Sequence, residues 1–240
     1  MIVYVYATDS HTEIAIKDFL RKIRTDIQWI IKSPSLPKRS KHDYENKEAF
    51  PILTGRTGAD LEKFMMDELE LHPSILTECA AVLLEDDVDF RDKDTNQKTF
   101  LQQQETRLNN ELKKLNTKST TALICMYAAP EIETWLIEDW ENSFGNPKRF
   151  NPTVATQLKT SINQIRTSCN NTMESYSHHH QGKLSDWIIT KTKDLAQSDK
   201  DSIYSKRKHG SIFLSNIDPE KVANNCRTYF ARAYHNIQSL

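Results

Sequence analysis

Cys79-Ala80-Ala81-Val82-Leu83-Leu84-Glu85-Asp86-Asp87-Val88-Asp89 is the stretch on which the fold turns. A short apolar run of aliphatic and β-branched residues reads as a buried strand, here over 79–85, and the acids behind it then lie at one mouth of a sheet. Open α/β sheets bind their ligands there, outside the carboxyl ends of the strands. Carboxylates crowded this closely repel one another, so the arrangement is costly unless a cation, a basic substrate or solvent relieves it. A magnesium site and a solvated acidic turn are the two readings of this cluster.

Moving outward, residues 2–6 read as a strand and residues 13–23 as a helix whose apolar positions Ile16, Phe19, Leu20 and Ile23 share one face. A second strand follows at 27–31. Residues 33–51 carry three prolines and many charges, which predicts a surface excursion. Gly55-Arg56-Thr57-Gly58 precedes a helix with Leu61, Phe64, Met65 and Leu69 inward, and it resembles either an anion-binding loop or a plain helix entry. Beyond the acidic strand come a polar helix at about 96–115, a strand at 122–127, a break at Pro130 and a helix at 131–140. Such alternation favours a mostly parallel sheet flanked by helices, because parallel neighbours need crossover connections. After Gly145-Asn146-Pro147 the pattern turns wholly helical, at about 152–176, 183–197 and 219–236. The expected organisation is an α/β core over 1–145 with a helical C-terminal extension, 146–240, packed on it.

With 240 residues the chain can bury a sizeable core. Its apolar stretches fall far below the roughly 18 residues of a membrane span, so no membrane segment is expected. The opening residues lack the pattern of an export signal, and Cys79, Cys125, Cys169 and Cys226 show no CxxC spacing, so neither zinc nor a disulfide framework is suggested. A cytoplasmic protein fits best. Net charge is −1, which leaves no global basic footprint for nucleic acid, yet residues 1–140 carry 18 Lys and Arg against 25 Asp and Glu, and 141–240 carry 14 against 8. An acidic metal site facing a phosphate-binding flank would produce that asymmetry.

If the first, third and fourth strands are parallel neighbours, three acidic loci meet at one edge: Asp9, Asp87 with Asp89, and Glu133. Mg²⁺ takes hard oxygen ligands and keeps several waters, so two or three carboxylates from separate loops suffice. Asp87 and Asp89, two apart in an extended segment, are expected to point the same way. Each acid also has a plainer reading: Asp9 as a turn or cap residue, and Glu133 as an acid favoured by a helix dipole. His178-His179-His180 read as an exposed polar loop or as a metal or phosphate contact, and Lys206-Arg207-Lys208-His209 as a solvated loop or a phosphate contact.

The order of strands and acids resembles the Toprim fold of topoisomerases, DnaG-type primases and OLD-family nucleases, which carries an acid after its first strand and an Asp-x-Asp pair after its third. Asp9 and Asp87-Val88-Asp89 stand at those places. More specifically, the chain is similar to a bacterial branch of Toprim-like proteins often paired with AAA- or ABC-type ATPases in defence-like gene pairs. Asp9-Ser10-His11-Thr12-Glu13 aligns with that branch's Glu-Gly-x-Thr-Glu, and Pro130 to Asp139 with its Glu-x-Trp-Leu segment; Asn216 to Glu220 and Cys226 to Phe230 are similar to its closing helix. The resemblance implies a Mg²⁺- or Mn²⁺-dependent nuclease of an antiphage system with Asp9, Asp87 and Asp89 as ligands; Glu133 is expected to join the catalytic set, and Lys183 or the basic group Lys206, Arg207 and Lys208 to clamp nucleic acid. Asp9 replaces the family's Glu and Ser10 its Gly. A catalytically degenerate subunit that serves a partner ATPase is therefore the rival expectation, and phosphoryl transfer on small substrates a third.

Overall fold

The computed structural model describes residues 1–8, 13–34, 56–116, 120–197 and 199–240. Strand β1 (Ile2–Ala7) leads through helix α1 (Glu13–Ile23) to β2 (Gln28–Lys32). Helices α2 (Ala59–Leu71) and α3 (Ile75–Glu78) precede β3 (Ala81–Asp87), and α4 (Gln97–Leu115) leads to β4 (Ala122–Ala128). The helices α5 (Glu133–Glu138), α6 (Pro152–Ser168), α7 (Tyr176–His179), α8 (Leu184–Ala196), α9 (Ser211–Asn216), α10 (Pro219–Asn225) and α11 (Phe230–Gln238) follow. The four strands form one all-parallel sheet in the order β2-β1-β3-β4, so the first, third and fourth strands are neighbours and share a carboxyl edge. This is the α/β architecture that the alternation predicts.

Both faces of the sheet are covered, which is why β1, β3 and β4 read as nearly continuous apolar runs. On one face Val82, Leu84, Cys125 and Tyr127 pack with Leu61, Met65 and Leu69 of α2 and Phe100, Leu101 and Leu108 of α4. On the other, Val3, Val5, Leu83, Ile124 and Met126 join α1, α5 and the C-terminal helices in a second core. There Trp135 stacks on Phe19 at 5.5 Å between ring centroids and meets Phe230 at 4.8 Å, tying α5 to α1 and α11. Residues after 146 thus supply part of the wall against which the sheet folds. Among the described residues no helix is long and apolar enough to cross a membrane. All four cysteines are buried and free.

Several boundaries differ from the sequence reading. The third strand runs over 81–87 rather than 79–85, because Cys79 still closes a helical turn through its N–H to Ile75 O, and because pairing with β4 continues to Asp87 opposite Ala128. The acids therefore lie within the strand. The predicted helix 152–176 ends at Ser168, where Asn170 and Asn171 adopt φ of 55° and 63°, the left-handed geometry that stops a helix. The predicted helix 219–236 divides at Cys226. Residues 206–209, read as loop, lie in an irregular helical turn (Lys206–Gly210) running into α9. The loop read at 33–51 lies, from residue 35 onward, outside the described residues.

Candidate functional site

Successive side chains of a strand point to opposite faces, so the three acids of β3 part company. Glu85 and Asp87 fall on the face of Leu83, beneath the C-terminal helices, whereas Asp86 falls on the face of Leu84, beneath α2 and α4. The expectation that Asp87 and Asp89 share a direction is corrected here. The strand ends at Asp87, Asp89 has φ of 52°, and the pair related by alternation is Glu85 with Asp87.

On the first face the acids meet the segment that leaves β4. Asp87 Oδ1 accepts the Ile132 N–H at 2.9 Å, and Glu85 Oε2 accepts the Thr8 N–H at 3.3 Å, which places Glu85 against the end of β1. Glu131 and Glu133 are fully buried. Glu131 takes the N–H and hydroxyl of Ser185, at 2.9 and 3.0 Å, and the ammonium of Lys206 at 2.9 Å. Glu133 accepts the Tyr204 hydroxyl at 2.9 Å through Oε1, while its buried Oε2 has no hydrogen-bond partner and faces Lys206 Nζ at 3.5 Å. Lys183 closes the rim, 3.1 Å from Asp89 Oδ1 and 3.9 Å from Glu131 Oε1. Asp89, Lys183, Glu131, Lys206, Glu133 and Tyr204 thus form one chain of contacts beside Asp87.

These surroundings separate the proton affinities of the acids. Burial, then the charges of Glu85, Glu133 and Glu131, push Asp87 well above the usual carboxylate range, against the pull of Lys206. Burial likewise raises Glu133, with Lys206 opposing and Glu131 adding to it. At Glu131 burial is outweighed by Lys206 and the two Ser185 donors, and its carboxyl is held low. Lys206 is raised despite burial of its ammonium, because Glu133, Glu131 and Asp87 all favour its charge. Neighbouring carboxyls shifted in opposite directions are an arrangement suited to moving a proton.

The structure brings Asp87, Glu133, Lys206, Asp89 and Lys183 together, while Asp9 lies outside the described residues. Lys208 instead pairs with Asp201 at 2.8 Å, and Arg207 is exposed on the same turn. The sequence reading missed Glu131, which is fully buried, and Tyr204; it left Glu85 unassigned. Only the alternation within β3 signalled Glu85. The three adjacent histidines have separate partners: His178 is 3.1 Å from Asp92, His179 3.3 Å from Asn170, and His180 2.9 Å from Ser168.

On the opposite face the segment read as an anion loop holds the protein's own anion. Gly58, with φ of 59°, donates its N–H to Asp86 at 3.0 and 3.2 Å, and Arg91 donates to the same carboxylate at 2.5 Å. Gly55 lies outside the described residues. Burial raises Asp86 to about 6 even so, with Arg91 and the Gly58 N–H pulling the other way. Glu62, next to this pair, is bridged by Arg107 at 2.6 Å and Arg91 at 3.8 Å.

The carboxylate oxygens beside Asp87 are of the hard kind that divalent cations take, and one buried oxygen, Glu133 Oε2, lacks a hydrogen-bond partner. Among the described residues no three His, Cys, Asp or Glu side chains already converge to hold a metal ion. The ammonium of Lys206 lies between Glu131 and Glu133.

A family model described as "Domain of unknown function (DUF4276)" matches residues 10–237. No curated protein and no solved structure matches the chain. With nearly its full length covered by that match, the chain belongs to the DUF4276 family.

Proposed function

We propose that this protein is a Toprim-like, Mg²⁺- or Mn²⁺-dependent enzyme that cleaves phosphodiesters, acting as the nuclease of a bacterial antiphage system with an AAA- or ABC-type ATPase as its partner. The observation that carries the reading is the meeting of Glu85, Asp87, Glu131 and Glu133 with two lysines at the carboxyl edge of a parallel sheet. The defence setting and the partner rest on the sequence resemblance alone. When bound, the ion supplies Lewis acidity and lowers the pKa of a coordinated water. Asp87 and Glu85 would hold it, with Asp9 following β1 in the chain and Asp89 at the rim. Glu133, whose proton affinity burial raises, and Glu131, held low by Lys206 and Ser185, would pass a proton toward a leaving oxygen, and Glu131 would also orient the lysines. Lys183 would meet a phosphate, and Arg207 and Lys208 would contact a longer nucleic acid.

The test is a cleavage assay over DNA and RNA with Mg²⁺ or Mn²⁺, alone and with the ATPase encoded beside it. Asp87→Ala should lower the rate by a factor on the order of 10³, since the seat of the ion is disturbed. Equal activity in the two proteins refutes this site. The second reading, a degenerate subunit that binds the ATPase, is favoured by Lys206 lying among the acids. It predicts intact ATPase binding with no cleavage in either protein.

A further inference from the structure

We infer that the cleft between the start of α4 and α7 is a second, metal-independent site that cleaves RNA, with His178 as the base that activates the ribose 2′-hydroxyl. It shares no residue with the Glu131 and Glu133 cluster and goes beyond the reading above. The cleft holds about 540 Å³, and every residue lining it is polar or charged, which suits a hydrophilic ligand. One wall, residues 93–97, leaves β3 for α4, so the cleft lies toward the carboxyl edge, where open α/β sheets bind ligands. Next to that wall Asp92 is fully buried and accepts the Ser177 hydroxyl at 3.2 Å on one oxygen and the Tyr229 hydroxyl at 2.7 Å on the other. Both oxygens are acceptors, so the proton in the 3.1 Å contact with His178 Nε2 belongs to the imidazole. That fixes the tautomer. His178 Nδ1 keeps its lone pair, no group among the described residues bonds it, and the side chain remains 24% exposed. A buried carboxylate that holds an imidazole in this way prepares it as a general base.

Two neighbours on the lining suit a phosphate. His179 Nε2 receives the Asn170 amide at 3.3 Å, which leaves its Nδ1–H to donate, and Lys93 pairs with no acid among the described residues, although Asp94 also lines the cleft. Ser175 lines the cleft without bonding His178, so the nucleophile arrives with the ligand. An acceptor for a hydroxyl beside a donor and a cation for a phosphate matches RNA, whose 2′-hydroxyl adjoins its phosphodiester. In the step, the 2′-hydroxyl gives its proton to His178 Nδ1 as its oxygen bonds phosphorus, and the bond from phosphorus to the 5′-oxygen breaks. The leaving oxygen takes a proton from water, and the imidazolium later returns one. A 2′,3′-cyclic phosphate and a 5′-hydroxyl result, with Lys93 offsetting charge on the phosphoryl oxygens.

The experiment incubates the full chain with an oligoribonucleotide, or with the DNA of the same sequence, in excess EDTA, which silences any metal-dependent cleavage. RNA should be cut to a cyclic phosphate end and DNA left whole, and His178→Ala should lower the rate by a factor on the order of 10². RNA left intact in EDTA refutes this inference while the metal-dependent reading stands. Equal cutting by wild type and His178→Ala refutes His178 as the base. Cutting of DNA as well refutes the 2′-hydroxyl as nucleophile. If cleavage persists in EDTA and Mg²⁺ or Mn²⁺ adds nothing to it, the metal-dependent reading falls and this inference stands. Should His178→Ala fail to fold, nitrogen NMR of the wild-type imidazoles decides: a proton on His178 Nε2 is expected, and one on Nδ1 alone overturns the assignment.

Discussion

Replacing Asp86 with Asn separates burial from ion pairing at a fully buried acid. Two forces oppose each other there. Arg91 donates at 2.5 Å and the Gly58 N–H at 3.0 Å, both favouring the carboxylate, while complete removal from water disfavours it. Burial wins: the carboxyl rises from 3.8 to about 6. At about 1.36 kcal/mol per tenfold change, that difference corresponds to about 3 kcal/mol. The folded state holds the Asp86 proton more tightly than the unfolded chain does. Its contribution is therefore complete below pH 3.8 and lost as pH rises through about 6. Asn cannot ionise, so the stability of Asp86→Asn minus that of wild type should climb by about 3 kcal/mol from acid to neutral pH. Urea unfolding followed by circular dichroism, repeated across this range, measures the difference, and groups that titrate alike in both proteins cancel. A flat curve refutes the argument. A curve that falls with pH means that Arg91 outweighs burial, and the electrostatic account of this face would be reversed.

Two further outcomes are expected. Tyr204→Phe removes the hydroxyl that donates to Glu133 Oε1 and should cost about 1–3 kcal/mol at neutral pH. The loss should shrink in acid, where Glu133, already raised by burial, takes its proton; an equal loss at every pH counts against an ionised Glu133 at neutrality. Phe230→Ala empties a fully buried site against Trp135 and Phe19 and should cost about 3–5 kcal/mol. Hydrogen exchange should accelerate in β4 and α5 as well as in α11, and acceleration confined to α11 would show that the C-terminal helices unfold separately.

Much of the fold was legible because its signals are local. Periodicity in 13–23 and 61–69 needs only the helical repeat, and the apolar runs of β1, β3 and β4 reflect a sheet covered on both faces. Alternation of strand and helix then requires crossovers and hence parallel pairing. The breaks after Ser168 and at Cys226 were hidden because a helix stop depends on one or two backbone angles, such as the positive φ of Asn170 and Asn171, and Asn is compatible with a helix on composition alone.

The candidate site divides in the same way. The sequence by itself determined that Asp87 and Glu133 fall at one sheet edge, since each follows directly from the end of a strand or the start of a helix. Strand alternation, once the strand's true end is known, also separates Glu85 and Asp87 from Asp86. Only the tertiary structure decided which cation meets which acid. Lys206 and Glu131 are 75 residues apart, and Tyr204 and Glu133 71, joined by packing of the C-terminal helices against the β4–α5 connection. No local rule reports such distances. The same is true of Gly58, whose N–H was available to any anion until folding presented Asp86, 28 residues away, at 3.0 Å. Residue type sets what a group can bind, but long-range burial sets its partner, its charge state and therefore its chemistry.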